Sequence, residues 1–161
     1  MDTAMTELVE GDTAPDFELP GDGGGTVQLA DLRGQFVVLF FYPRNGTETC
    51  TAESIDFSRL VPQLAAAGAV VIGISPDSPK KHDEFKAKHG LLHRLASDET
   101  RRTIEAYGVW GEKTQFGRRY MGVIRSTFLI DRDGTIARVW RKVRVKGHAD
   151  EVLQAVRGLS R

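Results

Sequence analysis

The side chain with most chemistry to offer is Cys50, the one cysteine among 161 residues. A lone thiol excludes an internal disulfide, a CxxC redox pair and any multi-thiolate metal site. Counting alone favours a small buried hydrophobe, but the surroundings argue for more. Gln35 to Tyr42 is an almost unbroken apolar and aromatic run of strand length, typical of a strand buried on both faces. It ends at Pro43, Asn45-Gly46 marks a turn, and from Cys50 onward Ile55, Phe57, Leu60, Val61 and Leu64 recur at helical spacing. Cys50 therefore falls in a first helical turn, beyond the carboxyl end of a buried strand, where open α/β sheets place their ligands. Unpaired N–H groups and the helix dipole favour a thiolate there. Thr47, three residues earlier, is placed either to cap that helix or to aim its hydroxyl at whatever the sulfur meets.

The elements that must hold this thiol follow from the rest of the pattern. Asp16 to Leu19 and Thr26 to Leu29 read as a hairpin across a glycine-rich loop, which lacks the Gly-Lys-Ser/Thr of a phosphate loop. Pro62 predicts a kink after Cys50, or a second short helix starting there. Ala69 to Ile74 is a second buried strand, and Ser75-Pro76-Asp77-Ser78-Pro79 caps a charged helix over about Lys80 to His89. A short strand around Leu92 to Ala96 and a helix over Glu99 to Tyr107 follow. Ser126 to Asp131 turns at Asp133-Gly134 into Ile136 to Val143, and Asp150 to Leu159 forms a last amphipathic helix. Strands alternating with helices, then a hairpin, give the α/β class: a thioredoxin-like architecture with a central mixed sheet flanked by helices and an N-terminal β-hairpin. With no linker or repeat in view, residues 1–161 read as a single domain.

Composition narrows the partners. Lysine plus arginine equals aspartate plus glutamate at 22 each, so net charge does not advertise nucleic acid or membrane binding. No apolar run approaches the ~20 residues of a spanning helix. Met1 to Glu10 carries no apolar stretch of the secretory kind, and a free thiol suits a reducing compartment, so a cytoplasmic location is expected. The basic run Arg141 to Lys146 reads as a solvated strand edge. His82, His89, His93 and His148 lie in charged or loop segments with no evident relation to Cys50 and no metal-ligand spacing. They read as solvated surface residues.

Pro43, Thr47 and Cys50 match Pro-x-x-x-Thr-x-x-Cys, the peroxiredoxin signature. Phe41-Tyr42-Pro43, Glu53, Asp56-Phe57, Tyr107 to Lys113, Tyr120 to Asp131 and the opening Gly11 to Phe17 extend the likeness over nearly the whole chain. In these blocks it resembles the bacterioferritin-comigratory, or Q-type, peroxiredoxins. The resemblance implies a thiol-dependent peroxidase acting on hydrogen peroxide and organic hydroperoxides. Cys50 would be the nucleophile, Thr47 would hydrogen-bond the peroxide, Pro43 would shield the pocket, Arg125 would supply a guanidinium and Glu53 would orient an arginine. It calls for no cofactor and no metal, and leans to a monomer. Many members carry a second, resolving cysteine five residues after the nucleophile, where this chain has Ile55. The sulfenic acid left on Cys50 would need an external thiol, glutathione with glutaredoxin or thioredoxin.

Thiolate formation alone does not explain such a reaction. Lowering a thiol pKa from ~8.5 to about 6 raises its thiolate fraction at neutral pH about thirtyfold. A Brønsted slope of ~0.4–0.5 takes back more than tenfold in nucleophilicity. The large contribution must act on the departing oxygen, where a preorganised donor is worth ~3–4 kcal/mol. Arg125, the Thr47 hydroxyl and the Cys50 backbone N–H are the candidates.

Three rival readings use the same residues. A thiol–disulfide oxidoreductase would want a second cysteine, and a cysteine hydrolase a histidine base. A peroxide sensor or redox-regulated holdase would use oxidation of Cys50 to alter a binding surface, and is the principal alternative.

Overall fold

The computed structural model describes residues 7–160. Residues 1–6 of the acidic N-terminal stretch, and Arg161, lie outside them.

The run ahead of Cys50 becomes the middle strand of a five-stranded sheet. The sheet joins β3 (Phe36–Phe41), β4 (Ala69–Ser75), β5 (Arg94–Ser97), β8 (Ser126–Ile130) and β9 (Ile136–Arg141) in the order β5-β4-β3-β8-β9. β3 runs parallel to β4, and β4 to β5, whereas β8 pairs antiparallel with both β3 and β9. The sheet is therefore mixed. Every residue of β3 is buried because both faces are covered. Val37, Leu39 and Phe41 point into one core with Leu19, Val27, Ile104 and Tyr107, while Phe36, Val38, Phe40 and Tyr42 point into the other with Cys50, Phe57, Leu64 and Val152. Gly73 of β4 makes this possible. A Cβ there would lie 2.7 Å from the Phe40 ring, which stacks on Phe57 at 4.6 Å between centroids.

Helices α1 (Glu48–Ala66), α2 (Pro79–His89) and α4 (His148–Leu159) cover the Cys50 face; α3 (Arg102–Ala106) lies on the other. The N-terminal hairpin is β1 (Glu18–Pro20) with β2 (Thr26–Gln28). α1 runs unbroken through Pro62, so no second helix starts there. Pro62 is exposed, and buried Phe57, Leu60 and Leu64 anchor the helix on both sides of it. At about 1.5–3 kcal/mol each, their burial outweighs the ~3 kcal/mol of an internal proline.

Two further corrections matter for the site. His82, His93 and His148 are not on the surface: they are 0%, 2% and 4% exposed, and only His89 is partly open. Each of the three packs where a core side chain would, His93 edge-on to Phe40 and His148 edge-on to Phe57 and Trp140. Burial drives the His93 pKa down to about 3 and that of His148 to about 4. The second correction is an added hairpin, β6 (Trp110–Gln115) with β7 (Arg118–Val123), outside the main sheet. Its turn is Phe116-Gly117, both at positive φ (53° and 77°), the backbone of a type I′ connection. Gly adopts that conformation freely; Phe116, 92% exposed, does so at a cost.

Candidate active site

The loop from β3 to α1 is short and heavily tied. Gly46, at φ 89°, turns the chain into Thr47, whose extended backbone (φ −76°, ψ 152°) makes it the N-cap of α1. Thr47 Oγ1 accepts from the Cys50 N–H at 3.3 Å and donates to the Arg44 carbonyl at 3.3 Å. Of the two placements open to Thr47, the structure shows the cap. The Cys50 N–H, one candidate donor to a departing oxygen, is thereby already partnered.

Cys50 is 1% exposed, and Arg125 reaches it from the link between β7 and β8. The main chain on either side of Arg125 is pinned: the Ile124 N–H donates to Val109 O at 2.7 Å, and Arg125 O accepts from Val143 N–H at 3.0 Å. Its Nη2 donates to Cys50 Sγ at 3.3 Å and its Nη1 donates to Glu53 Oε1 at 2.6 Å. Glu53 lies one turn along α1 from Cys50 and is 1% exposed; its Oε2 has no partner among the described residues. Burial pushes the Glu53 carboxyl up to about 7, against the charge and hydrogen bond of Arg125. Burial opposes the charge on Arg125, but Glu53 and Cys50 more than offset it and raise its pKa.

A thiol, a guanidinium bonded to its sulfur, and a carboxylate holding that guanidinium are thus assembled from positions 50, 53 and 125. Pro43 is half-buried where β3 ends. No group of three or more acidic, histidine or cysteine side chains suited to a metal occurs among the described residues. None of their helices is long and apolar enough to cross a membrane.

The family model described as AhpC/TSA matches residues 10–139. The chain belongs to the AhpC/TSA family. Peroxiredoxin Bcp of Bacillus subtilis is 48% identical over 150 residues, covering 93% of this chain and 96% of that protein. Peroxiredoxin Bcp of Xanthomonas campestris is 41% identical over 155 residues, covering 95% and 97%. Among solved structures, a cysteine-to-serine variant of Xylella fastidiosa PrxQ superposes with a TM-score of 0.91 at 36% identity, over 97% of this chain and 99% of that one. The X. campestris bacterioferritin comigratory protein, studied for its alkyl peroxide reduction activity, gives 0.87 at 37% identity, over 98% and 99%. The fold is accordingly the thioredoxin fold of peroxiredoxins, and the enzyme class is that of the Bcp/PrxQ peroxiredoxins.

Two different cysteine-to-serine variants of X. campestris Peroxiredoxin Q have been solved, so that peroxiredoxin has at least two cysteines against one here. Ile55, on the solvent side of α1, is 42% exposed. One further residue lies near these groups, in a segment that belongs to the family likeness. Lys113 of β6 lies across Gly122 and donates to Val123 O at 3.0 Å, two residues before Arg125. Burial, then the charge of Arg125, lowers its pKa, while Cys50 pulls the other way. The signal that would have found it is the pairing of β6 with β7, and the turn residues hid that hairpin.

Proposed function

We propose that this peroxiredoxin reduces hydrogen peroxide and organic hydroperoxides through a sulfenic acid on Cys50, resolved by an external thiol. The observation that carries the reading is the Arg125 fork, with one nitrogen on Cys50 Sγ at 3.3 Å and the other clamped by Glu53 at 2.6 Å. The thiolate attacks one peroxide oxygen; the S–O bond forms as the O–O bond breaks. Sulfur gives up two electrons, and the other oxygen leaves as hydroxide or alkoxide and takes a proton to become water or alcohol. Negative charge shifts from sulfur to the leaving oxygen, and a guanidinium already beside the sulfur can follow it without reorganising. Thr47 is the second donor in this scheme: rotation of its hydroxyl off the Arg44 carbonyl would aim it at the peroxide. Glu53 orients Arg125, and Pro43 limits the approach of water.

With a single cysteine, the sulfenic acid meets no second thiol of its own chain. An incoming thiol attacks the oxidised sulfur, forms a mixed disulfide and releases water; a second thiol then frees Cys50. Glutathione with glutaredoxin, or thioredoxin, supplies these thiols in our reading. The test is to oxidise the protein with one equivalent of peroxide and trap the sulfenic acid with dimedone. A separate, untrapped portion of the oxidised protein is then returned to the thiol under dithiothreitol, glutathione plus glutaredoxin, or thioredoxin plus its reductase. A trapped adduct on Cys50 and recovery of the thiol in one protein-linked system supports the reading. Stoichiometric oxidation that no system reverses would favour the sensor.

A further inference from the structure

The three buried histidines leave a question, since the peroxidase scheme uses none of them. His82 stands apart because its contacts lead to the Cys50 loop. It sits on α2, 0% exposed, with Nε2 3.0 Å from the Ala96 carbonyl of β5 and 3.4 Å from Ser75 Oγ. Its Nδ1 lies 2.9 Å from Asn45 Nδ2. Asn45 is two residues before Thr47, inside the loop that delivers Cys50.

The proton positions follow from what each atom can do. A carbonyl only accepts, so Nε2 carries the hydrogen that Ala96 O receives. The Asn45 amide nitrogen only donates, so Nδ1 is the bare nitrogen. Tyr42 O–H donates to Asn45 Oδ1 at 2.6 Å, which is compatible with that orientation; the hydroxyl could equally accept from a turned amide, so the choice rests on the ring. Turning the amide over would place its oxygen on Nδ1 and demand an imidazolium. Burial, outweighing the nearby carboxylates of Asp77, Asp22 and Asp83, holds the His82 pKa below the usual range and so favours the neutral ring.

The main chain of Asn45 is held as well. Its N–H donates to Asp77 Oδ2 at 2.8 Å, and Ser75 Oγ donates to the same oxygen at 2.7 Å. The loop is thus fastened at two points to the carboxyl ends of β4 and β5 and to α2. The next residue, Gly46, then turns the chain into the Cys50 helix.

We infer that His82 and Asn45 are positioning residues for the peroxide reaction: as a neutral Nε2–H tautomer, His82 anchors Asn45 and thereby aligns Thr47 and Cys50 with Arg125. The inference rests on the reading of Cys50 as a peroxidase nucleophile. Its consequence is selective. Peroxide reduction needs sulfur and donors in register, and a misplacement of about 1 Å can cost ~10²-fold. Alkylation of the same sulfur by iodoacetamide makes no comparable demand on those donors.

The experiment compares the two second-order rates, by stopped flow, in wild type, His82→Phe and Asn45→Ala. Asn45→Ala changes a half-buried loop residue and guards against a His82 variant that fails to fold. The expected result is a peroxide rate lowered ~10- to 100-fold with an alkylation rate within about threefold of wild type. Ring nitrogen shifts should show His82 protonated on Nε2 alone. Equal loss in both rates, no loss in either, or a proton on Nδ1 would overturn the inference. Should wild type show no Cys50-dependent peroxide reduction, the peroxidase reading fails on its own. Amide exchange over residues 44–50 then still reads the anchoring: faster exchange in Asn45→Ala keeps it, and unchanged exchange removes it.

Discussion

Two polar clusters meet at the loop between β3 and α1, and they are built in opposite ways. On one side, Tyr42, Asn45, Ser75, Asp77 and His82 satisfy one another, and each side-chain nitrogen and oxygen of Asn45 and His82 has a partner. On the other, Cys50, Arg125 and Glu53 are joined by a weak sulfur contact and one short ion pair, and Glu53 Oε2 is buried without a partner. A saturated network in a low dielectric is rigid, because any displacement breaks several bonds at once. An unsaturated one has hydrogen-bonding capacity to spare, here the acceptor Glu53 Oε2, and its single sulfur contact is easily exchanged for a guest. The difference teaches where order is needed and where reactivity is: the support is closed and the reacting side is left open.

Arg125 offers the sharpest way to break this comparison. Arg125→Ala removes the donor that follows charge onto the leaving oxygen and should lower kcat/KM for peroxide ~10²–10³-fold. Rates followed across pH, up to full thiolate formation, distinguish this role from simple thiol activation: the deficit should persist on the alkaline plateau. Full recovery there would place Arg125 in thiolate formation alone. Glu53→Gln should cost about tenfold, since a neutral amide orients the guanidinium less firmly.

Glu53 also carries a pH signature in stability. Its folded pKa of about 7 lies above its ordinary value of 4.5. A group raised on folding contributes stability that is fully present below about pH 4.5 and is lost as pH climbs through about 7. The melting temperature of wild type relative to Glu53→Gln should therefore fall between about pH 5 and about pH 8. A constant difference would mean that Glu53 titrates like an exposed glutamate.

Smaller effects sharpen the same contrast. Thr47→Val removes the cap of α1 and should cost about 1 kcal/mol of unfolding free energy, whereas Thr47→Ser should cost less. Phe116→Asn, at a turn position suited to positive φ, should stabilise the β6–β7 hairpin by about 0.5 kcal/mol in chemical denaturation. Unchanged peroxide kinetics in that variant would show that the hairpin tip takes no part in turnover.

The legibility of this molecule in its sequence follows the physics of each signal. Strands buried on both faces announce themselves as long apolar runs, so β3, β4 and β8 are readable to within a residue or two of where they lie. The β6–β7 hairpin is not, because its residues are mostly polar and its turn is Phe-Gly rather than Asn-Gly. Cys50, Thr47, Glu53 and Arg125 come from a spacing motif and its family likeness, and the structure brings 50, 53 and 125 into contact. His82 was hidden by its neighbours. Lys80, Lys81, Asp83 and Glu84 make the segment look like a solvated face, and only the three-residue step to buried Phe85 marks His82 as inward. A buried neutral histidine needs partners from distant elements, here Asn45 and Ala96, and no local pattern reports them.

The measurement that tests the central claim most directly is the consumption of hydrogen peroxide and an organic hydroperoxide by wild type and Cys50→Ser. It is made with dithiothreitol, glutathione plus glutaredoxin, and thioredoxin plus its reductase as parallel reductants. The account predicts multiple turnovers by wild type in at least one system and none above background for Cys50→Ser. Equal consumption by the two proteins, or none by either, would contradict it.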